Sequence, residues 1–424
     1  MLKRIRVRHV NLFFAMIISL VGAVVIAFVA AGVLAGLLTV DTEATTSPVD
    51  LTKLALTIAA GVGGVVALVV AYRRQRDLEQ GRFVEGFGAA AKQLGDSDVA
   101  VRLAGVYAMA GVADQTSKLK RQQCIDVLCG YLRLPYAPEL GSNHQSGLTL
   151  KRAVGRKGGP EEELRFHYRQ NDKEVRQTIV RVMTAHLQKK ATQSWSAHDF
   201  DFDGSHLEDP DFKDAIFNGK AWFYGASFSG DKASFKNVSF SGETTTFKKA
   251  TFGSVDTSFS GATFSSKDTS FSGTTFSGGT TSFSSATFRG NLTWFGGTTF
   301  SSDTTKFSGA AFEGNMTRFR GATFSGKDVL FDGATFGSRN TSFDWATFNG
   351  QVTSFRGSDF GEGKVTFRSP MEWNPPPAFD WDAGSEAAVT KPANVEPQNW
   401  PPVATGHIEG PPAGADPLKK STWW

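Results

Sequence analysis

Thr257-Ser-Phe259-Ser-Gly-Ala262-Thr-Phe264-Ser-Ser-Lys-Asp268 is the stretch that decides the fold. Phe returns after five residues, then after seven, and this 12-residue double unit repeats without a break to Phe367. Phe228, Phe240, Phe252, Phe264, Phe276, Phe288, Phe300 and Phe312 stand in one register of it. Phe235, Phe247, Phe259, Phe271, Phe283, Phe295 and Phe307 stand in the other. Two residues before each second Phe sits a small side chain, as at Ala250, Ala262 and Ala286. Alternation along a strand puts positions i and i−2 on one face. Phe and Ala therefore point inward together, the Ser or Thr between them points out, and Gly and Ser supply the turns. Such self-similarity at a short period predicts a β-solenoid whose stacked coils share one core. Those Phe are its structural core ladder.

Composition agrees. The chain has 424 residues with 36 Phe against 6 Tyr and 9 Trp, and 29 of the Phe lie between Phe200 and Phe367. So many aromatic residues exclude simple disorder despite the Ser, Thr and Gly content. Net charge is only +4, which gives no global polyanion-binding character. The two cysteines, Cys124 and Cys129, are too few for a disulfide framework.

The repeat resembles the pentapeptide-repeat family, over residues 200–369. That resemblance implies a right-handed quadrilateral β-helix, here departing from the family by the extra pair in alternate elements, as at Lys267-Asp268. Four centres per coil predict about seven coils and a rod of ~34 Å at ~4.8 Å per coil. Open strand edges at both ends would invite association, homo-oligomerisation included, unless capped. The reading assigns the N-terminal cap to a helical connector through Trp195 to Asp199, and the C-terminal cap to Trp373, Phe379 and Trp381.

Upstream, Val10 to Val40 and Leu54 to Tyr72 carry no charged side chain. Each run is long enough on paper for a membrane-crossing helix of ~20 residues. Lys3, Arg4, Arg6 and Arg8 precede the first, and Arg73, Arg74 and Arg76 follow the second. The reading is a two-helix transmembrane hairpin in residues 1–76, with spans of about 12–38 and 54–72. The bilayer is then a partner, and the positive-inside rule makes the protein a multi-pass inner-membrane one with both termini in the cytoplasm.

Residues 77–195 read as a helical connector domain. Asp98 and Arg102, and again Asp172 and Arg176, sit at i and i+4, able to pair across one turn. Each belongs to an Asp…Val-Arg pattern that resembles HEAT-type helical repeats. His144 to Pro160 reads as a loop, and Cys124 and Cys129 as buried structural residues. The fold class is therefore α + β-solenoid: hairpin, HEAT-like connector, pentapeptide β-helix over 196–369, and a Pro-rich capping segment with a disordered tail over 370–424. The whole layout resembles membrane-anchored pentapeptide-repeat proteins of the actinobacterial type.

No P-loop, nucleophile elbow, HExxH or paired-Cys motif is present. His198 and His206, near Asp199, Asp201, Asp203, Glu208, Asp209 and Asp211, are weighed as a metal site and read instead as solvated charge at a solenoid end. No catalytic residue, metal or cofactor is expected. The functional reading is a non-enzymatic scaffold presenting its rod to an unidentified cytoplasmic protein. One alternative is a gyrase- or nucleic-acid-associated protein, which the family resemblance brings in. It is disfavoured by a rod holding 17 Asp and Glu against 16 Lys and Arg, because a DNA mimic needs about one negative charge per ~1.7 Å. Another is a sensor or enzyme accessory acting through the helical connector.

Overall fold

The computed structural model describes Val25 and residues 48–138, 147–153, 161–167, 172–382 and 389–406. The chain divides into one unit ending at Glu85 and a second beginning at Gly86.

The transmembrane hairpin requires correction. Among the described residues, no helix is long and apolar enough to cross a membrane. The expected span over 54–72 is one section of α1, Pro48–Leu94, a single helix of 47 residues. The helix does not stop at the end of the uncharged run but continues through Arg73, Arg74, Arg76, Asp77 and Glu79. Counting uncharged residues measured the run and not the element that contains it. The expected span over 12–38 lies outside the described residues, Val25 excepted. The multi-pass inner-membrane placement rested on the hairpin and falls with it.

Three helices follow: α2 (Val99–Asp114), α3 (Lys118–Leu132) and α4 (Asp172–Leu187). Asp98 caps α2, its Oδ1 accepting from the Ala100 N–H at 2.8 Å. Between α3 and α4 lies an antiparallel hairpin, β1 (Gly147–Ala153) and β2 (Glu161–His167); the first strand falls where a loop was expected over 144–160 and the second in the part of the connector read as helical. The missed signal is a period of two: Leu150 faces Leu164, while Lys151 faces Glu163 and Arg152 faces Glu162.

From Phe200 the chain winds into a β-solenoid of about seven coils that repeats every ~24 residues. Its short parallel strands stack into four faces. Face I runs from Phe200–Asp201 to Lys364–Thr366 and gains a ninth strand, Val395–Glu396. Face II runs from His206–Glu208 to Glu372–Trp373, face III from Lys232–Ser234 to Val352–Ser354, and face IV from Ile216–Phe217 to Thr335–Phe336. Stacking keeps each residue in register with its counterpart, Phe252 on Phe276 and Phe264 on Phe288.

The core is four Phe columns. Phe271, Phe295 and Phe319 stack with centroids 4.9 and 4.7 Å apart and planes within 6°. Neighbouring columns meet edge to face, as Phe283 and Phe295 do at 89°. Both geometries are favoured by the ring quadrupole. The C-terminal end is closed by aromatic residues. Phe379 stacks on Phe355 at 4.9 Å as the next rung, Trp373 meets Phe348 at 5.2 Å, and Trp381 meets Phe360 at 5.2 Å. Trp400, from a stretch read as disordered tail, lies edge-on to Phe367 and Phe379.

Inward threonines run beside the Phe columns, and their hydroxyls obey a simple rule. Thr245, Thr281 and Thr317 each meet a corner serine of the next coil, Ser266, Ser302 and Ser338, at 2.8, 2.8 and 2.9 Å. Where that corner is Gly290, Gly314 or Gly326, the buried hydroxyl of Thr269, Thr293 or Thr305 has no hydrogen-bond partner. A serine could not be added at Gly314 without backbone movement, because its Cβ would collide with the Gly290 carbonyl oxygen. Val329 and Val365 already occupy these inward columns next to Thr305 and Thr341. Thr293→Val is therefore expected to stabilise the rod by about 1 kcal/mol, by removing an unsatisfied buried hydroxyl. Thr281→Val should destabilise it by a similar amount, because the buried Ser302 hydroxyl loses its partner. Paired urea melts of the two variants check the opposite signs.

Candidate functional site

A β-solenoid's first coil presents unpaired backbone groups. Here helices α3 and α4 meet them with side chains. Gln122 of α3 donates to the Asp199 carbonyl at 2.7 Å and accepts from the Asp199 N–H at 3.0 Å, imitating a strand. Arg133 donates to the Asp201 carbonyl at 2.6 Å. From α4, Thr184 and Gln188 donate to the carbonyls of Asp211 and Lys213 at 3.0 and 2.9 Å. Ser196, in the expected capping segment, accepts from the Asn218 and Gly219 N–H groups. Trp195 is fully buried, and its indole N–H donates to Asp114 at 2.8 Å.

Between α4 and the first coil lies a cleft of about 420 Å³, walled by Lys173, Arg176 and Arg181 on one side and Glu208, Asp209 and Asp211 on the other. At its base is Arg176, only 4% exposed. Its guanidinium donates to the carbonyls of Tyr131 (3.3 Å), Leu132 and His206 (3.3 Å). Tyr131 and Leu132 lie in the last turn of α3, where carbonyls lack the i+4 N–H of a continuing helix. Arg176 thus terminates one helix from within another and ties both to the first coil. Asp172 lies 3.5 Å away, the i,i+4 pairing expected from the sequence, and the Tyr136 ring lies 4.6 Å beneath. Tyr136 donates to Glu208 at 2.7 Å, and Lys173 bridges Glu208 at 2.7 Å and Asp209 at 3.3 Å.

Lys173 and Tyr136 are tuned away from reactivity. Its hydrogen bond to Glu208 raises Lys173 above the usual ammonium value, so the amine stays protonated. Burial and the same carboxylate raise Tyr136, which keeps the phenol neutral. A nucleophilic amine or phenolate base needs the reverse. Burial also pushes Cys124 up to about 11 and Cys129 up to about 12, leaving both as inert thiols.

The two histidines considered as metal ligands are engaged separately. His198 ring nitrogens meet the carbonyls of Trp195 and Lys118, each at 3.2 Å, and His206 lies between Ser227 and Ser229 at 2.8 and 2.7 Å. Among the described residues, no group of three or more His, Cys, Asp or Glu could hold a metal ion. Burial lowers both imidazoles, with Arg176 adding to the effect at His206, and Arg121 and Lys118 at His198. His206, held between two serine hydroxyls that can donate or accept, is therefore neutral in the folded protein, whereas the two carbonyls against the His198 ring oppose the effect of burial there. The His206 contribution to stability is present above the ordinary histidine value of 6.5 and is lost as the pH falls below it, since the unfolded chain takes up a proton the fold refuses. The midpoint of thermal unfolding is expected to drop between about pH 7 and pH 5, where ordinary carboxylates stay mostly ionised. His206→Gln should flatten that drop.

The expected site residues are widely distributed. Phe228 to Phe312 line the rod interior, Trp373, Phe379 and Trp381 lie at its far end, and His198 and His206 at its near end. Glu208 was singled out only as an acid near the two histidines, and its cleft partners Tyr136 and Lys173 were missed, because 72 and 35 positions separate them from it along the chain. No family model, no curated protein and no solved structure matches the chain.

Proposed function

We propose that the protein is a non-enzymatic pentapeptide-repeat scaffold whose rod is a rigid surface for binding another protein. The observation that supports this most is the allocation of side chains. The fifteen ladder Phe are at most 1% exposed, and Lys173 and Tyr136 at the cleft are held in unreactive forms. The long outer surface remains as the part other molecules meet. A β-solenoid is also typically structural, because its coils form a surface in regular register.

The test is affinity capture with the full chain in its own host, followed by titration of each enriched protein against the purified chain. A saturable complex with defined stoichiometry is expected. The reading is overturned if no enriched protein binds saturably, or if the purified chain turns over a substrate.

A further inference from the structure

The outward positions of the rod are mostly Ser and Thr, and one place on face I departs from this. Along one registered row the residues are Trp222, Thr246, Ser270, Trp294, Arg318, Ser342 and Thr366. Beside Trp294 and Arg318 the next row pairs Leu292 with Met316. The Arg318 guanidinium lies 5.1 Å from the Trp294 ring centroid, and that of Arg320 lies 3.7 Å from Trp345. Two aliphatic side chains, two indoles and two guanidiniums thus gather on three adjacent coils.

Trp345 is the least expected member. Its φ is 57°, the left-handed region, where the same corner of the three preceding coils has Gly273, Gly297 and Gly321 and the coil before those has Lys249, also at 57°. A bulky residue there is a backbone outlier, and such strain concentrates at functional positions. Trp345 is no part of the buried Phe core and is partly exposed. Neither Arg318 nor Arg320 has a carboxylate within ion-pair distance among the described residues, whereas Arg289 and Lys327 on the same rod do.

We propose that this patch docks a short linear segment of another protein in which carboxylates alternate with large apolar side chains. A guanidinium stacked on an indole retains its in-plane N–H donors, which match a carboxylate fork. Trp and Arg are the residues that dominate interface energetics. Leu292 and Met316 supply apolar contact that a phosphate polymer would not use. The rod's near-neutral charge denies such a polymer a continuous positive track. Three coils at ~4.8 Å span the length of about four extended residues, which suits a segment more than a globular face. The proposal rests on the protein-binding reading above.

The test is photo-crosslinking with the full chain in its host, with a benzophenone amino acid at Met316 and a control at Thr304 on face III. The expected result is a cross-linked protein segment carrying Asp or Glu among apolar residues, its yield falling about tenfold in Arg318→Glu/Arg320→Glu. Trp345→Gly should lower the yield too while leaving the unfolding temperature unchanged or higher; a purely structural tryptophan would lower it. Yield no greater than at Thr304, a segment without carboxylates, a nucleic-acid adduct, or insensitivity to the charge reversal would each overturn the patch. If saturable partner binding survives in the charge-reversed chain, the surface assignment fails and the scaffold reading stands.

Discussion

Phe295→Ala is expected to destabilise the rod by about 3–5 kcal/mol, the range for removing a fully buried Phe whose surroundings relax little. Phe295 is 0% exposed and stacks between Phe271 and Phe319 at 4.9 and 4.7 Å. Phe283 and Phe307 lie edge-on, each at 6.0 Å. The cavity has little means of closing, because the coils above and below are held in register by backbone hydrogen bonds on four faces. Phe295→Leu fills much of that space and should cost about half as much. Because each coil touches only its neighbours, the deficit falls on two coil–coil interfaces, and unfolding should broaden from one cooperative step towards two. Urea melts followed by amide exchange check this: protection should drop first around residues 268–324. A loss below about 1 kcal/mol would mean that the columns are more adaptable than stacked rings allow.

The extent to which these features were legible follows from the range of the interactions. The Phe columns were visible because a solenoid converts a three-dimensional stack into a one-dimensional period, as at Phe259 and Phe264. Asp172 and Arg176 were visible as a pair for the same reason, since one helical turn brings them within 3.5 Å. The contacts of Arg176 with the ends of α3, 44 and 45 residues away, carry no such signature. Trp400 was hidden among prolines, although it lies against the last Phe rung. The hairpin of β1 and β2 was obscured by the Gly and Lys/Arg residues around it. The membrane reading rested on the length of the uncharged run Leu54 to Tyr72, whereas no helix among the described residues is long and apolar enough to cross a membrane.

Arg176→Met is expected to separate the helical cap from the rod. The substitution keeps an apolar stem of similar length and removes every donor. The carbonyls of Tyr131, Leu132 and His206 then lose the guanidinium in a site that is 4% exposed, and of the three Tyr131 still accepts from the Leu134 N–H at 3.2 Å. Asp172 retains Tyr131, whose hydroxyl donates to it at 2.6 Å, but loses its cation. Removing one partner of a buried pair costs about 3–5 kcal/mol, most of it from the groups left behind. Arg176→Lys should recover only a minor part, since one ammonium cannot span three carbonyls as the guanidinium fork does. The loss should be local. Amides of α3 and α4 are expected to exchange faster while those of residues 244–342 keep their protection, because the Phe columns there make no contact with Arg176. Once the cap loosens, the backbone groups met by Gln122, Arg133, Thr184 and Gln188 become an open edge. Such an edge pairs with another copy, so the variant should self-associate with rising concentration in sedimentation experiments, and the parent chain should not. Uniform loss of protection along the whole rod would instead mean that cap and coils unfold as one cooperative unit, with Arg176 supporting both.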